Sequence, residues 1–504
     1  MSTEIATSYQ TEFIQAGDDV SKILKKASIE ANKTYSYLVE LYSLEWHNVI
    51  LNHPLVQHSD AMLESQTDGV GTKVRIYMRQ YNVMYEAYKR WDLERDTFEA
   101  TANELMYRMM LDLYAMIVDD FRDGHIAISV TDIIDINHIK IDINNPDKEQ
   151  GIVWANAMKY AIENVIKETQ IALIAGETAV MGAGDNEVAL RKMVSDLTNR
   201  LLGIEDYISG SAEWLQIVDN TQERIMDQIK EILNPEGEKT VTEIRGFAKI
   251  IEGRMELNIG GSGNGVLNWN RLIDKKAGDD ILVFCEKKTP SGIISPRANG
   301  ISAIRKLEDI FGDDWTNKTI TDFFDHPAIS EKPGAAKLKQ IFIDQWPSLD
   351  TKIWDVATWC TTIYNPFISR VLLGGTEKTP DYEVSWLAHM TGNPPRKLAE
   401  LIGDKNLNLS IDYSDMEIPQ IVEMCMLAFD ISFEDAFSMW NMGIPYIVIA
   451  DSSDSDVIIQ KAREHGFTVK KKGTISNVED WWEPMVIVKH GNDSKRFPVK
   501  ESVI

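Results

Sequence analysis

Apolar positions recur along this chain at two periods, and the two periods predict where helices and strands lie. From Tyr35 to Asn52 they fall at helical spacing (Leu38, Leu41, Tyr42, Trp46, Val49), which predicts a core helix. Val74 and Ile76 alternate just after a glycine-bearing turn, so that turn is expected between two strands. A helical tract with charges among Met, Tyr and Leu follows from about Tyr77 to Asp119. Val153, Ala157, Ala161 and Val165 form one stripe of a helix over 152–168, and the apolar run Ile171–Ala175 predicts a buried strand. Helical periodicity then dominates to Met255 (Leu197, Leu201, Trp214, Ile217, Ile225, Ile229, Ile232), broken at Asn234-Pro235-Glu236-Gly237. In the second half, strands are predicted at Ile281–Phe284, Tyr446–Ile449, Thr468-Val469 and Val486–Val488, and helices at Ile301–Leu307 and Val457–His465. Residues 308–357 read as an insertion or an elaborated loop, and Lys470-Lys471-Lys472 as a solvated strand end.

Composition narrows the picture. The 504 residues are 44% hydrophobic, enough for a sizeable core and for more than one domain. A net charge of −26 argues against nonspecific binding to nucleic acid or to an anionic membrane surface. Cys285, Cys360 and Cys425 are far apart and make neither a disulfide framework nor a zinc ligand set, which points to a reducing compartment. The N-terminus is polar and acidic, and no apolar run is long enough to span a bilayer. A soluble, cytoplasmic protein is expected.

The densest chemistry is Ser65-Gln66-Thr67-Asp68-Gly69-Val70-Gly71-Thr72-Lys73. Glycines let backbone N–H groups approach a phosphate, an aspartate can hold Mg²⁺, and a lysine can meet a phosphate oxygen. The alternative is a glycine-rich turn with a surface lysine. Thr67 to Lys73 resembles the signature of the aminoimidazole ribonucleotide synthetase (phosphoribosylformylglycinamidine cyclo-ligase) family, founding member of the PurM-like ATP-binding superfamily. Further blocks come in family order. Ser8-Tyr9 and Ala16–Val20 resemble the family's N-terminal segment, which covers the nucleotide; Lys22, Lys25 and Lys26 after it either reach phosphate or face solvent on a helix. Ala115–Asp120 resembles A-M-C-V-N-D, and Gly124–Asp132 the buried strand after it. Asp120 matches the family's metal aspartate counted from upstream, Asp119 counted from downstream. Gly176-Glu177-Thr178-Ala179 resembles the family's G-E-T-A, with Val180 replacing a second acid. Glu256–Val266 has the glycines of a phosphate loop, but in register with the family it is a strand.

Ser291–Gly300 resembles S-G-x-H-S-N-G with Arg297 on the histidine; arginine cannot act as a neutral acid or base, though it can grip a phosphate bidentately. Thr361–Tyr364 resembles T-R-I-Y. Ala388–Gly392 and Asn393–Leu398 resemble A-H-x-T-G and N-x-P-R-x-L without the intervening glycines, and His389 reads as either a site residue or a packed histidine. Phe437–Ile444 resembles Y-R-T-F-N-M-G-I, with Ser438 in place of arginine.

The resemblance implies an α/β (α+β) protein of the PurM-like two-domain fold. Residues 1–270 would form an ATP-binding domain whose mixed sheet pairs with a twofold mate into a barrel, with insertions at about 80–104 and 186–255. Residues 271–504 would form the second domain, with an insertion at about 308–357. It implies a homodimer that uses ATP and Mg²⁺, with Asp68, Asp120 and Glu177 on the metal. Gly69, Gly71, Thr72, Lys73, Gly176 and Thr178 would complete the nucleotide site, and Asp68, Lys73 and Asn299 would serve catalysis. The implied activity is an ATP-dependent ligase of purine biosynthesis that phosphorylates the amide oxygen of formylglycinamidine ribonucleotide and closes it to aminoimidazole ribonucleotide. Two alternatives stand beside it: the same nucleotide site acting on a different amide or phosphate acceptor, and a non-catalytic scaffold or regulatory paralogue. Nucleic-acid and membrane partners are not expected.

Overall fold

The computed structural model describes residues 40–45, 48–52, 62–137, 149–181 and 256–499, short internal stretches apart. Two compact units are distinguished, one of Met1–Tyr37, Asp135–Ile139 and Ala179–Glu256, the other comprising the remainder. The first lies almost wholly outside the described residues, as do Lys22, Lys25, Lys26 and the helices expected within 186–255. The second unit is built on two sheets.

Its first half builds a six-stranded sheet in the order β1-β2-β3-β6-β4-β5. The strands are β1 (Glu40–Glu45), β2 (Asn48–Asn52), β3 (Met62–Gly69), β4 (Ile126–Asn137), β5 (Ala172–Met181) and β6 (Glu256–Leu267). Helices α1 (Lys73–Lys89) and α2 (Arg95–Val118) connect β3 to β4, and α3 (Glu149–Thr169) connects β4 to β5. From Leu105 to Val118, α2 is buried on nearly every side, its charged residues Arg108 and Asp112 included, each held in an ion pair. Three alternate glycines of β6 let it come close. A Cβ on Gly263 would stand 2.4 Å from Ile117 Cγ2, and one on Gly265 3.1 Å from His125 Cβ. One on Gly261 would meet the Thr131 carbonyl at 2.2 Å. The glycine run is therefore a strand thinned for packing, paired with β3 so that Asp68 opposes Gly261.

Two expectations change here. Residues 40–52 form an antiparallel pair, not a helix; Val49-Ile50-Leu51 is a short apolar run, and it pairs with Leu63–Ser65 of β3. Val74 and Ile76 belong to α1, not to a strand. Val74, Tyr77, Met78 and Tyr81 form its buried stripe, so the glycine turn joins a strand to a helix.

The second half builds a seven-stranded sheet in the order β13-β12-β9-β11-β7-β10-β8. In chain order its strands and helices are β7 (Asp280–Cys285), α4 (Ile301–Arg305), α5 (Leu307–Phe311), α6 (Ile320–Asp325), α7 (Pro327–Ser330), α8 (Ala335–Gln345) and α9 (Ile353–Ala357). Then come α10 (Asn365–Phe367) with a π turn after it, β8 (Val384–His389), α11 (Pro394–Ile402), β9 (Leu407–Asp412), α12 (Gln420–Phe429) and α13 (Phe433–Met439). The chain closes with β10 (Tyr446–Ala450), α14 (Ser455–Glu464), β11 (Thr468–Asn477), β12 (Met485–His490) and β13 (Asp493–Pro498). Only β9 and β12 pair in parallel among the described ladders of this sheet.

The central strands β7 and β10 are buried on both faces. Ile281 and Val283 look into one core with Trp315, Phe323, Phe342, Ile353 and Trp440. Leu282 and Phe284 look into the other with Tyr364, Phe367 and Ile458. Residues 308–357 thus supply helices and core aromatics rather than an elaborated loop. Thr319 opens α6 with a reciprocal capping box to Asp322, a local signal that a helix starts there. Lys470–Lys472 lie inside β11, where Lys471 pairs with Asp280 at 2.6 Å. Among the described residues no helix is long and apolar enough to cross a membrane.

Candidate functional site

The site grows from the end of β3. Asp68 and Gly69 close the strand, and Val70 N–H donates to the Ile259 carbonyl at 3.3 Å. Gly71 then takes φ +63°, with open space where a Cβ would stand, and α1 begins at Lys73. Gly69 N–H donates to Asp68 Oδ1 at 2.7 Å. Burial, reinforced by the neighbouring Asp120 charge, pushes the Asp68 carboxyl up to about 6 against the opposing pull of that N–H and of Lys397.

The end of α2 delivers two acids with different fates. Asp119 is fully buried. Its Oδ1 accepts the N–H groups of Tyr364 at 2.7 Å and Asn365 at 2.8 Å, and its Oδ2 takes Arg297 at 2.9 Å. Asp120 keeps a 12% exposed side chain and lies 2.6 Å from His389 Nδ1 and 3.8 Å from Lys397 Nζ. Burial alone would raise its carboxyl, but Lys397 and His389 hold it well below the usual carboxylate range.

Arg297 ties these groups together. Its buried guanidinium donates to Glu286 at 2.8 Å, the Thr362 carbonyl at 2.9 Å and Asp119, and lies 2.8 Å from His389 Nε2. A guanidinium only donates, so His389 Nε2 is the acceptor and Nδ1 carries the proton given to Asp120. Burial, and then Arg297, lower the basicity of the ring, which keeps it neutral. One arginine therefore sets the tautomer that orients Asp120.

No protein-family model matches this chain. Phosphoribosylformylglycinamidine cyclo-ligase from Thermoanaerobacter sp. (strain X514) is 29% identical over 227 residues, covering 44% of this chain and 53% of that protein. The same enzyme from Methanocaldococcus jannaschii is 25% identical over 311 residues, covering 57% and 76%. The chain is a divergent relative of these cyclo-ligases. It spans about half the length of the first curated relatives it matches. Among solved structures, phosphoribosylformylglycinamidine synthase II from Thermotoga maritima superposes with a TM-score of 0.38 at 11% identity, covering 94% of this chain and 49% of that one. The E. coli hydrogenase maturation protein HypE gives 0.37 at 12%, covering 77% and 79%.

The residues marked by the cyclo-ligase resemblance fall into three groups. Asp68 and Asp120 come together electrostatically. Gly69, Gly71 and Thr72 line the turn beside them, and the Thr72 hydroxyl makes no cap bond to α1. Lys73 is fully buried rather than presented to solvent, its Nζ 2.8 Å from Asp112 Oδ2 and shared with Tyr77 and Thr361 through that carboxylate. Gly176, Glu177 and Thr178 lie on β5, next to β4, with side chains outside the described residues, as Asn299 and Gly392 also are. Arg297 is not available to grip a phosphate, because it is fully buried and its two Nη groups are already taken by acids, a carbonyl and His389, leaving only a buried Nε without a partner.

Among the described residues no three metal-ligating side chains converge. The two that do approach fit a divalent cation. The Asp68 carboxyl is raised first by burial and then by the Asp120 charge, a repulsion that a cation between the two carboxylates would relieve, and hard oxygens suit Mg²⁺. Lys397 was not singled out from the sequence; α11 brings it to the acid pair only in the folded chain.

Proposed function

We propose that the chain is an ATP-dependent ligase acting on formylglycinamidine ribonucleotide, in purine biosynthesis, as a cytoplasmic homodimer. The observation that carries the reading is the Asp68–Asp120 pair at the start of the D-G-V-G-T-K turn, with His389, itself held by Arg297, fixing Asp120. Asp68, Asp120 and Glu177 would hold Mg²⁺, which supplies positive charge to the ATP phosphates. The turn Gly69–Thr72 offers backbone N–H groups to phosphate oxygens, and Gly176 and Thr178 offer theirs from β5. Asn299 orients the substrate. Lys73 acts by fixing the start of α1 through Asp112 rather than by touching phosphate. Phosphorylation turns the amide oxygen into a good leaving group, and attack by the amidine nitrogen closes the ring.

A second reading has an observation of its own. Arg297 stands where the family resemblance places a histidine, and it is locked among Glu286, Asp119 and His389. Proton transfer by a side chain at that position is closed to this chain, which favours a different acceptor at the same nucleotide site. An assay with Mg·ATP and formylglycinamidine ribonucleotide, following ADP and the aminoimidazole product together, separates the two. Stoichiometric formation of both supports the cyclo-ligase. Nucleotide binding without product supports another acceptor, and no binding leaves a scaffold.

A further inference from the structure

A divalent ion set between Asp68 and Asp120 has its charge matched by theirs, so the negative charge of a bound triphosphate calls for a further cation. The basic groups of the signature blocks are committed elsewhere. Lys73 is fully buried on Asp112. Arg297 is fully buried in ion pairs with Asp119 and Glu286. His389 is held neutral, by burial first and then by Arg297.

Lys397 is different. It stands on α11, whose Leu398, Ala399 and Ile402 are buried in the core, so the helix is fixed while the lysine leaves from its flank, 30% exposed. Its Nζ lies 3.8 Å from Asp120 Oδ1, beyond hydrogen-bond distance, and that oxygen already takes His389 Nδ1 at 2.6 Å. Lys397 makes no hydrogen bond among the described residues. Its charge reaches Asp68 as well, where it works against burial and the Asp120 charge. A compact ammonium on a flexible stem, near both carboxylates and hydrogen-bonded to neither, can turn from acid to phosphate without moving the helix. Lys397 also fills a position that the N-x-P-R-x-L block leaves open.

We propose that Lys397 is the phosphate-binding cation of this site: once a divalent ion takes Asp68 and Asp120, the ammonium turns to the triphosphate oxygens, the part that the turn lysine, Lys73, is buried too deeply to play. The inference rests on the nucleotide site of the reading above. It gives Lys397 opposite effects on two ligands. The ammonium repels a metal ion that arrives alone and attracts one that arrives with phosphates. A lysine that only braced Asp120 would favour both.

The test titrates Mg·ATP by calorimetry, and Mn²⁺ alone by the electron paramagnetic resonance of the free ion, into the full chain of wild type, Lys397→Met and Lys397→Arg at matched ionic strength. Lys397→Met is expected to lose roughly tenfold or more in Mg·ATP affinity, as for a charged hydrogen bond to phosphate, and to bind Mn²⁺ roughly threefold more tightly. Lys397→Arg keeps the charge and should stay within about threefold of wild type for both. Folding is checked on the same samples: a part-exposed lysine at a long ion pair should move the melting temperature by no more than about 3 °C. Unchanged Mg·ATP affinity in Lys397→Met overturns the proposal. So does a parallel fall in Mg·ATP and Mn²⁺ affinity, which would make Lys397 a brace for the acids. In both cases wild type still binds Mg·ATP and the nucleotide site stands. Failure of wild type to bind Mg·ATP refutes that site itself, and the role of Lys397 with it.

Discussion

Replacing Arg297 by methionine probes the strut behind Asp120. The guanidinium is fully buried, and its removal strands Asp119 and Glu286, whose side chains are also fully buried. Asp119 keeps two backbone N–H donors at 2.7 and 2.8 Å, and Glu286 keeps one long contact to Thr362 N–H at 3.4 Å. Glu286 is therefore left with the poorer compensation. Breaking a buried pair by deleting one partner costs about 3–5 kcal/mol, and Arg297→Met should fall in that range. Arg297→Lys keeps the charge, but one ammonium cannot span an acid on each side, a carbonyl and His389; losing one or two charged hydrogen bonds predicts about 2 kcal/mol. Adding Glu286→Gln to Arg297→Met removes the worst-placed stranded charge and should restore at least about 1 kcal/mol. Urea denaturation followed by circular dichroism measures all three, with the slope against denaturant as the check on cooperativity. A loss under about 1 kcal/mol for Arg297→Met, or no recovery in the double variant, refutes this account of the cluster.

Three further outcomes rest on particular contacts. Lys73→Met strands the buried Asp112 carboxylate, so it should destabilise the fold by about 3–5 kcal/mol in chemical denaturation; a normally stable protein with only a lower turnover would make Lys73 a catalytic group after all. Burial pushes the Glu423 carboxyl up to about 7 from 4.5. Below pH 4.5 both folded and unfolded states hold the proton; as pH rises towards 7 only the folded state keeps it, so stability falls, by about 3 kcal/mol once pH exceeds 7. Glu423→Gln should therefore match wild type near pH 4.5 and exceed it at pH 8, and parallel stability-against-pH curves would contradict this. Gly300 holds φ +65°, and a Cβ there would stand 2.0 Å from Trp440 Nε1, so Gly300→Ala should lower stability by about 2–4 kcal/mol in the same melt.

The sequence made the centre of the second sheet legible, though not its strands β8, β9 and β13, because its central strands are short, wholly apolar runs, such as Ile281–Phe284 and Tyr446–Ile449. The stripe at Val153, Ala157, Ala161 and Val165 likewise leaves one solution, the helix α3. Residues 40–52 misled because Leu41, Tyr42 and Val49 satisfy a helical spacing as well as two short strands, and pairing with β3 is a tertiary choice. Val74 and Ile76 misled because two alternate apolar residues also fit one turn of a helix. At the site, the acid of the turn could be named from its glycine-rich setting, and those of the α2 end from the family resemblance. Their division of labour could not. Asp119 is bound to amides some 245 positions away in sequence, and Asp120 to His389, so only the fold separates a structural acid from an open one. The role of Arg297 was hidden for the same reason, its partners coming from the residue just after β7, from β8, the end of α2 and the loop before α10.

The central claim, that Asp68 and Asp120 together form the metal-nucleotide site, is tested most directly by calorimetric titration of Mg·ATP into wild type, Asp68→Asn and Asp120→Asn, each repeated with the metal chelated. The account predicts that wild type binds Mg·ATP and loses that binding on chelation. Each variant should lose tenfold or more in affinity, as expected for removing a ligand charge worth roughly 1.5–3 kcal/mol. Binding of equal strength in wild type and both variants, with or without the metal, would contradict it.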